Sequence, residues 1–275
     1  MEHVPVQYHY CHWCQIRGDL DSAHMCADCH CKFYKIDPGA PAFQKAVLDV
    51  FCGIGGAARG YVQAGYEVWG VDNNPRLEED YLASGAYRFT VGDAMEVLAD
   101  KQLLRRYDFI HVSPPCQFYS QMSRCRPGLA DSYPDFIGPS RELLLEAGVP
   151  FVIENVNGAR AWLREPMTLC GTMFRKPVYR HRLFEGGGVR LTAPRPLEAP
   201  RYNKHCGWHH PVKTARAGHW QPGYYVSVSG HERKEPVREA MDITWARERE
   251  DVAEAIPPYM SRYIGEQVLE QLRGR

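Results

Sequence analysis

The sequence predicts an α/β fold: a parallel sheet covered by helices on both faces, with a small cysteine-rich module ahead of it and an irregular region late in the chain. Three observations predict it. From Ala46 onward, short apolar runs alternate with helical stretches, the texture of buried parallel strands joined by crossover helices. Each run ends in glycine, acidic or turn residues. Five of the ten cysteines fall within the first 31 residues.

The first element in order is that cysteine module, residues 1–40. Cys11-x2-Cys14 and Cys26-x2-Cys29 are two thiolate pairs with eleven residues between them. Each pair can chelate one side of a tetrahedral ion, and the loop between brings the pairs together. This predicts a closed, structural Zn2+ site on Cys11, Cys14, Cys26 and Cys29, with Cys31, His12, His24 and His30 as alternatives for the fourth ligand. The module carries three basic side chains against five acidic ones, so scaffolding or partner contact is expected of it rather than a grip on phosphates. DPGAP, from Asp37 to Pro41, reads as a linker.

Residues 41–184 form the main domain. AVLDVF, YEVWGVD, AYRFTVGDA, YDFIHVSPP and VPFVIEN are its strand-like runs, and PSRELLLEAG is a helical stretch between two of them. From Glu185 to Pro236 the alternation stops. This stretch is rich in Gly, Pro, His and aromatic residues and holds eight basic side chains against four acidic ones. Helical texture returns over 237–275.

Composition sets the outer limits. The chain has 275 residues, 44% hydrophobic and 24% charged, which excludes disorder as the main state. At roughly 150 residues per domain this is one large domain, or one with a satellite, and a core of that size needs no disulfides. The 33 basic and 33 acidic residues balance. That excludes a non-specific polycation but leaves room for a local nucleic-acid patch. No apolar run approaches the ~20 residues of a membrane span, and MEHVPVQYHYCHWC lacks the pattern of a signal peptide. The expected address is cytoplasmic.

LDVFCGIGG is a strand followed by Gly53, Gly55 and Gly56, which let a ligand approach the backbone near a helix N-terminus. Asp72 ends the second strand, nineteen residues after Gly53, the spacing of an acid that holds a ribose. Asp93, in VGDA, ends the third. A glycine loop with two strand-end acids points to an adenosine-containing cofactor, and the absence of G-x-G-x-x-G disfavours NAD.

YDFIHVSPPCQFYS then runs a strand into Ser113-Pro114-Pro115-Cys116-Gln117. The prolines fix the loop and hold Cys116 at the carboxyl end of the sheet, where open α/β sheets bind ligands. VPFVIENV places Glu154 and Asn155 at the next strand end. A thiolate and a carboxyl on adjacent strand ends suit one small planar substrate. PVYRHRLFE sets Arg180 and Arg182 two apart, on one side of an extended chain.

FCGIGG, VD, GDA, SPPCQ, ENV and RHR, in that order, with AIPPYMSRYIGEQV near the end, resemble the motifs of the C5-cytosine DNA methyltransferases over roughly Val47 to Leu272. The compact form is similar to those of phages and mobile elements, which places the expected address in a bacterial or phage-infected cell. The resemblance implies a Rossmann-like, S-adenosylmethionine-dependent methyltransferase sheet. It makes 41–184 the catalytic domain, 185–236 the target-recognition region and 237–275 the helices that complete the catalytic domain. S-adenosyl-L-methionine would lie on Phe51, Gly53, Ile54, Gly55 and Gly56, with Asp72 at the ribose, Asn73 beside the adenine and Asp93 at its amino group. Ala94 and Pro115 complete that site.

By the same resemblance, Cys116 attacks C6 of a cytosine flipped out of double-stranded DNA. Glu154 contacts N3 and the exocyclic amine, Arg182 holds O2 and Arg180 supports the loop. Cys116 is expected to have its pKa lowered by nearby donors and cations. The partner implied is duplex DNA, with a short target, and the chain is expected to be a monomer with no membrane contact. Two positions depart from the family pattern. Its Q-x-R-x-R reads Val178-Tyr179-Arg180-His181-Arg182, and its Gly-Asn reads Ala253-Glu254. Cys206, His205, His209 and His210 read as loop and DNA-facing residues rather than a second zinc site. The competing readings are an RNA-directed (tRNA) C5 methyltransferase, a silent DNA-binding protein and a nucleotide-level enzyme.

Overall fold

A computed structural model describes residues 45–120, 133–194, 226–228 and 234–274, and the short strand pairs His9–Tyr10 with Arg17–Gly18 and Tyr202–Asn203 with Trp208–His209. Cys11, Cys14, Cys26, Cys29 and Cys206 lie outside the described residues, as does most of the predicted recognition region.

The five predicted runs all form strands: β1 Lys45–Val50, β2 Tyr66–Asp72, β3 Arg88–Val91, β4 Phe109–Val112 and β5 Phe151–Val156. β6 Met167–Cys170 and β8 His181–Gly187 complete a seven-stranded sheet, in the order β3-β2-β1-β4-β5-β8-β6. β7 (Val178–Tyr179) stands apart and pairs in parallel with β9 (Val226–Ser227). β1 to β5 are mutually parallel where they pair. β8 is antiparallel to both β5 and β6, so the sheet is mixed, which corrects the expectation of a parallel one. The cause is the short connection. Only residues 171–180 join β6 to β8, fewer than the dozen or more of a parallel crossover, and the chain must turn back.

Alternate residues of the strands feed two cores. On one face, Val47, Phe109 and Phe184 pack with Tyr61 of α1 (Gly56–Gln63) and Ile264 of α8 (Pro258–Arg273). On the other, Leu48, Ile110 and Ile153 pack with Leu98 of α3 (Ala94–Ala99), Leu104 of α4 (Lys101–Leu104) and Leu144 of α5 (Ile137–Ala147). α2 (Glu78–Ala83) adds Tyr81 to the first core. Two further helices, α6 (Lys234–Met241) and α7 (Arg249–Glu254), lead into α8.

Glu185 lies inside β8, not beyond it. The Arg141 guanidinium from α5 meets it in a two-pronged pair, Nε to Oε1 at 2.6 Å and Nη2 to Oε2 at 2.7 Å. The sheet thus continues to Gly187, past the predicted domain boundary at 184/185. Among the described residues, no helix is long and apolar enough to cross a membrane, and no group of three or more His, Cys, Asp or Glu is placed to hold a metal ion.

Candidate active site

The turn after β1 is built for close approach. Phe51 has a positive φ of 58°, a strained conformation for an aromatic residue and the kind that concentrates at functional sites. The Gly53 N–H donates to Asp72 Oδ2 at 3.0 Å, and Asp72 Oδ1 accepts from Asn74 N at 3.1 Å. The acid at the end of β2 therefore holds the glycine turn in place. A Cβ on Gly56 would stand 2.3 Å from the Ile256 carbonyl, so only glycine lets the segment before α8 lie against the start of α1. Trp245 Nε1 donates to Ile54 O at 3.0 Å, a second tie from the late chain to this turn. Asp93, two residues past β3, is the N-cap of α3, its Oδ1 accepting from Met95 N and Glu96 N at 2.7 and 3.0 Å.

The proline loop is pinned to the strands on either side. Ser113 Oγ donates to Phe51 O at 3.1 Å, and Asn155 Nδ2 donates to Pro114 O at 2.9 Å. Cys116 is partly buried behind them. Burial pushes its thiol above the ordinary value; Arg182 and Arg180 pull it down, while Glu154 and Glu254 push it up. The expected lowering is therefore corrected: the cations are present, but loss of water and two carboxylates outweigh them.

Glu154 sits on β5 and Arg182 on β8, both buried. Arg182 Nε stands 2.9 Å from Glu154 Oε1, yet the angle is wrong for a hydrogen bond, and both atoms are left without a hydrogen-bond partner. Burial raises the Glu154 carboxyl above its usual range, and Arg182 and Arg180 pull it back. Arg180 is buried as well. Burial and the neighbouring Arg182 pull it down to about 9, which leaves it charged at neutral pH. Its Nη2 donates to Ala253 O and Ala255 O at 2.5 and 3.0 Å, and Arg182 Nη2 donates to Glu254 O at 3.0 Å. The two arginines thus bind the main chain at the end of α7 to the edge of the site.

These parts surround one cavity of about 370 Å³, a volume that suits a small molecule. Phe51, Gly53, Ile54, Gly56, Asp72, Asn73, Asp93 and Ala94 line one part of it, with Pro115, Cys116, Glu154 and Arg182 in the same enclosure. Gly55 and Arg180 are not in its wall. Gly55 has a φ of 80° with Ser84 beneath it, and Arg180 acts from behind. The sequence reasoning missed Phe136, Arg76, Asp251 and Glu254, which also line the cavity. Phe136 packs on Phe51 with ring centroids 5.4 Å apart. Arg76 grips Asp251 with both Nη atoms, at 3.0 and 2.9 Å. Only the Ala253-Glu254 departure from the family pattern drew notice to any of these positions.

The strand order, the antiparallel β8 and the glycine-turn cavity at the strand ends place the chain among the α/β methyltransferase folds. Two solved structures share it. One, from E. coli, is described as a DNA modification methyltransferase encoded within a prophage, with a TM-score of 0.57 at 14% identity, over 84% of this chain and 100% of that one. The other is the Entamoeba histolytica methyltransferase EhMeth, with a TM-score of 0.53 at 12% identity, over 83% and 99%. Residues 46–161 match the model of the C-5 cytosine-specific DNA methylases. No curated protein sequence matches the chain.

Proposed function

We propose that the protein transfers a methyl group from S-adenosylmethionine to C5 of a cytosine flipped out of duplex DNA. The observation that carries this reading is the meeting of Cys116, Glu154 and Arg182 in one cavity with the glycine turn and its strand-end acids. The residues fit the cofactor. A Cβ on Gly53 would meet no atom within 4 Å and would fill cavity space instead. The Phe51–Phe136 pair offers apolar surface, and Asp72, Asn73 and Asp93 offer polar groups.

When bound, S-adenosylmethionine supplies an activated methyl group. The chain supplies the rest. Cys116 Sγ adds to C6, which places electron density on C5. Glu154, whose burial favours the protonated carboxyl, donates to N3 and takes up that density. Arg182 holds the O2 carbonyl with the Nε that now lacks a hydrogen-bond partner. Arg180 keeps the end of α7 against the site. The raised thiol fits a nucleophile that ionises only when substrate completes the cavity, since a bound cytosine excludes water and brings new donors.

Support for duplex DNA as substrate comes from the match of residues 46–161 to the cytosine-specific DNA methylase model, from the description of the similar E. coli structure, and from charge. Residues 185–236 hold eight basic and four acidic side chains, and Glu185 is neutralised by Arg141, so the remaining excess suits phosphate contact. Incubation with unmodified duplex DNA and S-adenosylmethionine, followed by bisulfite mapping, should show 5-methylcytosine in one short context. Methylation of tRNA alone would overturn the DNA reading, and methylation of free dCMP alone would overturn base flipping. In the same reading, the four cysteines near the N-terminus bind one structural zinc. Cys14→Ser should lower zinc content measured by mass spectrometry; unchanged stoichiometry would remove the ion.

A further inference from the structure

A cytosine that gains a methyl group at C5 must lose its C5 proton, and the residues assigned above leave that proton without an acceptor. Five carboxylates line the cavity: Asp72, Asp93, Glu154, Asp251 and Glu254. Four are committed. Asp72 accepts from Gly53 N and Asn74 N. Asp93 caps α3. Asp251 is gripped by Arg76 through two contacts of 3.0 and 2.9 Å. Glu154 lies 2.9 Å from Arg182 and serves the N3 side of the ring. The Glu254 carboxylate alone has no hydrogen bond or ion pair among the described residues.

The Glu254 main chain is nevertheless among the most firmly held in the site. Arg182 donates to its carbonyl at 3.0 Å, and Arg180 donates to the carbonyls on both sides, Ala253 and Ala255, at 2.5 and 3.0 Å. Glu254, exposed on one side, thus lines the same cavity as Cys116 from a fixed backbone, and its carboxylate lies near enough to push the Cys116 thiol up. Burial first, and Asp251 second, push its carboxyl above the usual range, against the pull of Arg182 and Arg180. That direction strengthens a base working near neutral pH.

We propose that Glu254 is the general base that takes the proton from C5. The inference rests on the cytosine-C5 reading of the site. Addition of the Cys116 thiolate forms the S–C6 bond and moves the C5=C6 electron pair to C5. C5 then takes a methyl group from S-adenosylmethionine, whose sulfur keeps the pair of the broken bond. The Glu254 carboxylate next accepts the C5 proton. The C5–H pair restores the C5=C6 bond, and the S–C6 pair returns to Cys116 as thiolate. Glu254 passes its proton to water. Without a methyl donor, the same carboxyl protonates C5 of the adduct and removes a hydrogen again, which exchanges the C5 hydrogen with solvent.

That exchange is the test, because it needs no cofactor. Duplex DNA is incubated with protein in D2O, and deuterium at C5 is read by mass spectrometry of the nucleosides. Glu254→Gln should exchange on the order of 10²-fold more slowly than the unaltered protein, with partial recovery in Glu254→Asp. With S-adenosylmethionine and duplexes carrying 5-fluorocytosine, whose C5 substituent no base can remove, both variants should trap the covalent adduct at the unaltered rate. On ordinary cytosine, Glu254→Gln should accumulate a methylated adduct still joined to Cys116. Undiminished exchange in Glu254→Gln would overturn the proposal. So would weakened cofactor binding with loss of trapping, because Glu254 would then hold the cofactor or the fold. An unaltered protein that neither exchanges nor traps would overturn the cytosine reading itself.

Discussion

Cys116→Ser should lower methyl transfer by at least ~10⁴-fold, the scale on which loss of a covalent nucleophile acts, and should leave cofactor affinity unchanged. A serine hydroxyl ionises far less readily than a thiol, and this site already resists the charge on sulfur by burying it. The oxygen would have to lose its proton in the same dry surroundings, with Arg182 and Arg180 as the cations that favour its charge. Cofactor binding should survive because the Phe51–Gly56 turn is held by Asp72 and Trp245, not by the cysteine side chain. Methyl transfer on duplex DNA and calorimetric titration with the cofactor check the two halves. Residual transfer within tenfold of the unaltered protein would remove Cys116 as the nucleophile.

The second large effect is on stability. Glu185→Ala should cost about 3–5 kcal/mol, the range for removing one partner of a buried ion pair. Arg141 and Glu185 are 8% and 4% exposed at their side chains, so water cannot take over when the carboxylate goes. Two more groups lose a partner or are disturbed. The Arg164 N–H donates to Glu185 Oε2 at 2.7 Å, and Arg141 Nη2 donates to Trp162 O at 2.6 Å. The carboxylate therefore joins α5, the turn after β5 and the strand β8. Urea unfolding of the variant measures the loss, and a loss below about 1 kcal/mol would show that the guanidinium finds other company.

The central strands were legible because burial on both faces writes itself as an apolar run, and a parallel βα connection writes itself as a polar or glycine turn. β1, β2, β4 and β5 carry both marks; β3, at the edge of the sheet with only Phe89 buried, carries the second alone. β8 does not announce its direction, since HRLFEGG has the same apolar texture whichever way it runs; the short connection decides it. In the site, Cys116 and Glu154 were readable from strand-end positions alone. Glu254 and Asp251 were not, because each enters through partners 72 to 175 residues away. The direction of the Cys116 shift was misread for the same reason. Counting neighbouring cations is possible along a sequence, but the loss of water around a thiol is a property of the packed whole.

The ties between the late chain and the segment from the glycine turn to β2 bear on how the protein is made. Tyr66 donates to the Gly265 carbonyl 199 residues away, and Trp245 to Ile54 across 191. The glycine turn emerges from a ribosome first, and the tryptophan that braces it is synthesised 191 residues later. At about 5–20 residues per second, the nascent sheet waits roughly ten seconds or more with one face uncovered. Contacts so distant in sequence also slow refolding of the finished chain. A ribosome-bound intermediate lacking α8 would expose Tyr61, Tyr66 and Phe109, residues fully buried in the mature fold, and would be the form most in need of a chaperone.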